Sequence, residues 1–110
     1  MAYCEKLGSR IRNILSDRSD VFERKMFGGL AFLVSGNMCC GVVDDTLMAR
    51  VGADNYENAL KVKYVDKMDF TGKPMKGFVY VRPKGISTKK QLKKWVDLCL
   101  GFVETLSEKH

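Results

Sequence analysis

Several patterns on which enzymes rely are missing from this sequence. Its one histidine, His110, is the last residue, so neither a Ser-His-Asp triad nor a histidine-activated cysteine is expected. There is no P-loop and no G-x-G-x-x-G motif, and the pair Gly28-Gly29 is by itself a weak phosphate-binding signal. Asp44 and Asp45 are neighbours in a predicted exposed turn, where carboxylates mostly make local hydrogen bonds. We therefore expect a non-enzymatic protein with no catalytic residues and no cofactor.

Paired cysteines, long apolar runs and a signal peptide are also absent. The four cysteines are Cys4, Cys39, Cys40 and Cys99. None forms a C-x-x-C pair, which excludes zinc-ribbon and thioredoxin motifs, so we expect free thiols and no metal site. No apolar run approaches the ~18 residues of a membrane span, so no membrane contact is expected. The N-terminus lacks the basic-then-apolar layout of a signal peptide, which favours a cytoplasmic location.

The sequence does contain enough apolar material for one domain. Its 110 residues are 45% hydrophobic, which is typical of a globular protein with a single core. There is no internal repeat, low-complexity tract or linker. We therefore predict one domain that spans residues 1–110.

The positive charge is concentrated in one segment. The formal net charge is +6, yet residues 1–72 carry ten basic and ten acidic side chains. Residues 73–94 contain no Asp or Glu, and their eight basic side chains are Lys73, Lys76, Arg82, Lys84, Lys89, Lys90, Lys93 and Lys94. These eight residues are the predicted contacts for a nucleic acid or a protein partner.

Hydrophobic periodicity and turn signals predict the order of the elements. A first helix is predicted from about Tyr3 to Leu15. Runs of β-forming residues between turn signals then predict strands at 21–27, 30–34, 38–43 and 46–51, and later at 65–70 and 77–81. A short helix between these two groups ends near Val62, with Asp54 as its predicted N-cap and Glu57 in a capping-box relation to it.

The predicted elements favour a two-layer α+β sandwich. Connections of two or three residues cannot carry a parallel crossover, so the consecutive strands are predicted to be antiparallel. Helices are predicted to cover one face of the sheet. The other face is then solvated, paired with a second subunit to form an oligomer, or used for binding.

The last helix is the clearest predicted element. Ser87 or Thr88 is its predicted N-cap. An apolar stripe at helical spacing follows, and it consists of Leu92, Trp95, Val96, Cys99, Phe102, Val103 and Leu106. Because a Trp buries a large area, Trp95 is predicted to anchor the core rather than to stack on a ligand.

Three blocks of the sequence resemble a known family. Residues 24–52, RKMFGGLAFLVSGNMCCGVVDDTLMARVG, contain a Met-Phe-Gly-Gly core, a Gly turn followed by Met, and an Asp turn before a strand that ends in Val. This run resembles the central signature of TfoX N-terminal domains. GKPMKGFVYV, at residues 72–81, resembles the family's second block, and LKKWVDLCL in the last helix resembles its closing helix.

The resemblance implies a fold and a role. TfoX N-terminal domains have helices packed on an antiparallel sheet, and the family offers no catalytic residues. TfoX-type proteins regulate natural competence genes together with a transcription factor, so a transcription factor or another protein is the implied partner. The full regulators carry a second, C-terminal helical domain, and a stand-alone N-terminal domain is the expectation for this chain.

The residues leave three interpretations of the surface open. Lys89, Lys90, Lys93 and Lys94 are predicted on the polar side of the last helix, near the end where the helix dipole disfavours cations. They are either solvated lysines or contacts to DNA phosphates, which give affinity without sequence choice. An open sheet face is an adaptable protein-binding surface if it presents the methionines of the β and loop regions, which are Met26, Met38, Met48, Met68 and Met75. The prediction is a regulatory binding domain, and the alternative is a nonspecific nucleic-acid-binding protein.

Overall fold

The computed structural model describes residues 4–26, 28–69 and 74–106. The predicted order of helices and strands is confirmed, with small shifts at the ends of the elements. Their bounds are α1 (Glu5–Ile14), β1 (Val21–Met26), β2 (Gly29–Val34), β3 (Asn37–Val43), β4 (Thr46–Arg50), α2 (Ala53–Leu60), β5 (Val65–Asp69), β6 (Pro74–Val81), a 3-10 turn (Pro83–Gly85) and α3 (Lys89–Val103). The predicted helix start at Tyr3 and the predicted strand ends at 27 and 70 lie outside the described residues.

One antiparallel sheet contains all six strands. The strands lie in the order β1-β2-β3-β4-β6-β5, so β1 to β4 form a meander and β6 inserts between β4 and β5. Every strand pair is antiparallel, and for the consecutive strands β1 to β4 this is what the short connections predicted. The α+β class is therefore confirmed.

Strand register places the apolar residues of five strands in rows on one face. One row runs through Leu30, Val42, Leu47, Val81 and Val65. All five side chains are buried and belong to a single core. This alternation is what the β-forming runs predicted, because every second residue of a strand points to the same face.

The three helices cover different parts of this face. Helix α3 packs on β3 and β4 and also contacts α1, while α2 packs on β5 and β6. Apolar residues of all three helices join the same core, and they include Leu7 and Ile11 of α1, Ala59 of α2 and Val96 of α3. The helices thus form one layer and the sheet the other.

The opposite face of the sheet is not uniformly exposed. Ala31, Gly41 and Met48 form a row there, and all three are buried. Met68 is 1% exposed, whereas Phe22 on β1 is 70% exposed. Met48 and Met68 therefore present no adaptable surface, whereas Met38 is half-buried and the side chains of Met26 and Met75 are not among those described. An oligomer through this face stays a prediction.

The start of α2 differs from the prediction. Asp54 lies in the first turn and does not cap the helix, because the N-cap residue is Gly52 and no side chain caps it. Gly52 has φ 87°, which an L side chain rarely adopts. The chain reaches this conformation because the amide groups of Val51 and Gly52 both bond to the carbonyl of Gly77 on β6, at 2.8 and 3.1 Å.

The start of α3 follows one of the two predicted caps. Thr88 Oγ1 accepts a hydrogen bond from the Gln91 backbone amide at 3.1 Å. The Gln91 side chain in turn accepts one from the Thr88 amide at 3.1 Å, which completes a capping box. The N-cap therefore sets the start of α3, whose first turn contains Lys89 and Lys90.

Candidate functional site

The structure does not bring all eight predicted contact residues together. Lys73 lies outside the described residues. Lys76 on β6 and Arg82, which follows that strand, are both exposed, but they are six positions apart, which is about 20 Å of extended chain. Lys76 is therefore separate from the lysines that follow β6.

Two of the predicted residues form exposed ion pairs with carboxylates. The Arg82 guanidinium lies 3.0 Å from the Asp66 carboxylate of β5. It also lies 6.0 Å from the centre of the Tyr64 ring. Lys93 Nζ lies 2.8 Å from Asp97 one turn further along α3. These two cations are therefore less available for an ion pair with a binding partner than the sequence suggests.

Four predicted residues remain exposed without an acidic partner in the described part of the chain. Lys84 lies in the 3-10 turn, and Lys89, Lys90 and Lys94 lie in the first two turns of α3. No ion pair involves any of them among residues 4–26, 28–69 and 74–106. Their charge is therefore available to a partner.

Two cations from distant parts of the sequence lie near these lysines. The Arg10 guanidinium of α1 donates to the carbonyl oxygens of Ile86 and Thr88, at 2.6 and 3.3 Å. Lys63, which follows α2, lines the same cavity as Lys94. Sequence reasoning missed both, because neither lies in the basic segment 73–94 and only the packing of α1 and α2 brings them to it. We call Arg10, Lys63, Lys84, Lys89, Lys90 and Lys94 the basic cluster.

The charges of α3 oppose its dipole. A helix N-terminus favours anions, and each misplaced exposed charge costs about 0.3–1 kcal/mol at low ionic strength. The first turn of α3 nevertheless has no acidic residue, and its last turn has no basic one. Folding stability alone does not account for lysines at this position.

A groove between α2 and α3 adjoins the basic cluster. Its wide end is a cavity of about 810 Å³ that Trp95, Val62, Lys63 and Lys94 line. Its narrow end is a cavity of about 510 Å³, and Leu98 lines both. Asn55 and Asp97 also line both, so the two cavities adjoin each other between α2 and α3, and we call them together the groove.

Three cysteines form a separate cluster inside the core. Cys39, Cys40 and Cys99 are free thiols and fully buried, whereas Cys4 is only half-buried. Hydrogen bonds from Cys40 and Cys99 lower the pKa of Cys39. The hydrogen bond to Cys39 and burial raise the pKa of the other two. The thiol that ionises first is thus enclosed by apolar side chains, and all three pack as small hydrophobic residues.

The turn carboxylates lie apart from this groove. Asp44 and Asp45 are exposed between β3 and β4, and the Asp44 carbonyl accepts a hydrogen bond from the Cys4 amide at 2.6 Å. Among the described residues, no three His, Cys, Asp or Glu side chains are arranged to hold a metal ion. No helix in this part of the chain has the length and apolar character needed to cross a membrane.

The comparison with known proteins places the chain in a family. The family model of the TfoX N-terminal domain matches residues 13–103, which is most of the 110-residue chain. The match contains β1 to β6, α2 and α3. No curated protein and no solved structure matches the chain. With its fold and the family match taken together, this chain belongs to the TfoX N-terminal domain family.

Proposed function

We propose that this chain is a non-enzymatic binding domain that acts in transcriptional regulation by contacting an acidic surface of a protein partner. The contact surface is the basic cluster. The family supports this assignment, since TfoX-type regulators act together with a transcription factor.

The observation that carries the proposal is the charge at the start of α3. Lys89 and Lys90 are exposed, lack acidic partners among the described residues and lie where the helix dipole opposes them. Arg10 adds a third cation from α1. An acidic partner relieves the repulsion among these charges, so binding recovers the free energy that their placement costs.

The adjoining groove favours a protein partner over a nucleic acid. The residues that line its wide end include the apolar side chains of Ala59, Val62, Trp95 and Leu98. Contacts to DNA phosphates require cations and no apolar groove, whereas protein interfaces combine an apolar centre with a polar rim. A basic cluster beside an apolar groove therefore matches a protein surface of opposite charge.

Charge reversal tests the proposal with a matched control. One variant carries Lys89→Glu, Lys90→Glu and Lys94→Glu. The other carries Lys25→Glu, Lys67→Glu and Lys76→Glu, which are exposed lysines that line neither cavity. Each set lowers the formal net charge from +6 to zero, so only the position of the change differs. Glutamate is favoured near a helix N-terminus, so the α3 variant is expected to fold.

The measurement is capture of partners from the native cells, followed by binding assays with the purified partner. The wild type and the control variant are expected to retain a transcriptional regulator. The α3 variant is expected to lose at least about tenfold in affinity, because close charge pairs at interfaces couple by about 1.5 kcal/mol or more. Equal binding by all three proteins, or equal loss in both variants, would refute the role of the basic cluster.

The unpaired lysines also support a second candidate, nonspecific binding of nucleic acid. A 20-base-pair DNA duplex is titrated by fluorescence anisotropy at rising salt. Each phosphate contact contributes a slope of about −0.9 in log K against log salt, so four lysines predict about −4. The α3 variant is expected to flatten this slope and the control variant to keep it. Absence of binding at ~50 mM salt, where phosphate contacts are strong, rejects this candidate.

A further inference from the structure

The groove between α2 and α3 exists because the two helices rest on different strands. Helix α2 packs on β5 and β6, and α3 packs on β3 and β4. They approach each other at the narrow end, where the Phe102 ring lies against Gly52. The groove widens toward Trp95 and Val62 at the other end.

The wide end of the groove carries an exposed apolar side chain, Val62. It is 48% exposed, and only Phe22 is also an exposed large hydrophobic residue among those the structure describes. Leu98 and Tyr64 line the groove nearby and are half-buried. A surface that leaves such side chains partly in water gains free energy when an apolar group covers them, at roughly 25 cal/mol per Å².

The length of the groove favours a polypeptide segment. Gln91 lines its wide end and Phe102 its narrow end, and both lie on α3. Eleven residues of helix separate them, which is about 16 Å. A helical segment of about three turns matches this length and can lie between α2 and α3 with its apolar side inward.

The charges along the groove indicate the composition of that segment. Lys63 and Lys94 line the wide end, and neither has an acidic partner in the described part of the chain. Two carboxylates also line the groove: Asp97, which forms an ion pair with Lys93 at 2.8 Å, and Asp54 at the narrow end. Acidic residues of an occupant would therefore complement Lys63 and Lys94 at the wide end, away from Asp54.

We propose that the groove between α2 and α3 is the docking site for an acidic amphipathic helix of the protein partner. Its apolar side contacts Val62, Trp95 and Leu98, and its acidic residues face Lys63 and Lys94. This inference rests on the proposed function, because it assigns the partner's helix to a groove at the edge of the basic cluster.

Trp95 provides the measurement. It is the only tryptophan of the chain and lines the groove, so its fluorescence reports on an occupant. The probe is a synthetic 14-residue peptide with Leu at helical positions i, i+3, i+4 and i+7, four Glu on the opposite side and Ala at the remaining positions, since Ala favours the helix and fewer Glu limit the repulsion between them. Two control peptides carry Lys in place of Glu, or the same residues in scrambled order. Only the acidic amphipathic peptide is expected to give a saturable change.

Two variants of the protein test the two kinds of contact. Val62→Asp and the pair Lys63→Glu with Lys94→Glu are each expected to weaken peptide binding at least tenfold. All three residues are exposed or at the rim, so folding is retained and circular dichroism checks it. Phe22→Asp is the matched control, since Phe22 is exposed on the opposite face, and it is expected to bind like the wild type.

The outcomes separate this inference from the proposed function. Equal binding of the acidic and basic peptides, or no loss in Val62→Asp, overturns the docking site. If the lysine variant loses peptide binding and Val62→Asp does not, the proposed function of the basic cluster is retained, but the groove is not the docking site. If Val62→Asp instead dissolves a dimer in sedimentation experiments, the occupant is a second copy and the inference is wrong.

Discussion

Replacement of Trp95 by alanine is expected to lower the free energy of unfolding by about 3–5 kcal/mol. The side chain is 8% exposed and belongs to the same core as Val96 and Cys99 on α3. Removal of the indole leaves a cavity between α3 and the sheet, because a close-packed core relaxes only in part. Trp95 is thus buried in the core, as the apolar stripe of α3 predicted, and it also lines the groove.

Urea denaturation followed by circular dichroism measures this loss without the tryptophan signal. A loss of about 3 kcal/mol in a domain of this size lowers the thermal midpoint by roughly 10 °C. Lys90→Ala on the exposed side of the same helix is the control, and it is expected to cause no loss, since removal of a lysine from the first turn stabilises the helix by at most about 1 kcal/mol. An unchanged midpoint in Trp95→Ala would contradict the anchoring role and would favour a role in stacking on a partner.

Replacement of Gly29 by alanine is expected to cost at least about 2 kcal/mol. Gly29 begins β2 in the Met-Phe-Gly-Gly signature, and a Cβ there would overlap the carbonyl oxygen of Val42 on β3. It would also lie 3.2 Å from Val43 Cγ2. Since the obstacle is backbone, relief requires β2 and β3 to move apart and weakens their pairing. The glycine pair of the signature therefore serves strand packing, and its first member, Gly28, turns the chain with φ 72°.

Gly101 provides the matched control for this substitution. It lies in α3, and no atom of another described element comes within 4 Å of the position that its Cβ would take. An added methyl group therefore meets open space. Gly101→Ala is expected to stabilise the protein by about 0.5–1 kcal/mol, because alanine restricts the unfolded chain and favours helix. Chemical denaturation of both variants gives the comparison. A Gly29→Ala protein as stable as the wild type would show that β2 and β3 accommodate the methyl group.

The order of elements could be read from the sequence because each signal is local. The apolar stripe of α3 repeats within a few residues, and the hairpins of β1 to β4 follow from short connections that permit only antiparallel pairing. Thr88 was a predicted cap for the same reason, since its partner Gln91 is three residues away. Asp54 was a wrong prediction because Gly77, which lies on another strand, holds the chain at the start of α2.

The candidate site could be predicted only in part. The sequence showed that the excess of positive charge lies in residues 73–94, since counting charges requires no distances. It did not show that Arg82 and Lys93 are paired with Asp66 and Asp97, and it joined Lys76 to lysines from which β6 separates it.

The sequence by itself determined the α+β class, the antiparallel hairpins, the buried side of α3 and the segment that carries the charge, because periodicity and composition are properties of neighbouring residues. Only the tertiary structure decided that β6 lies between β4 and β5 and that α2 and α3 leave a groove between them. It also brought Arg10 to the carbonyl of Ile86, 76 residues away along the chain. Such contacts depend on how segments far apart in the sequence pack around one core. No local sequence pattern encodes which of these segments meet.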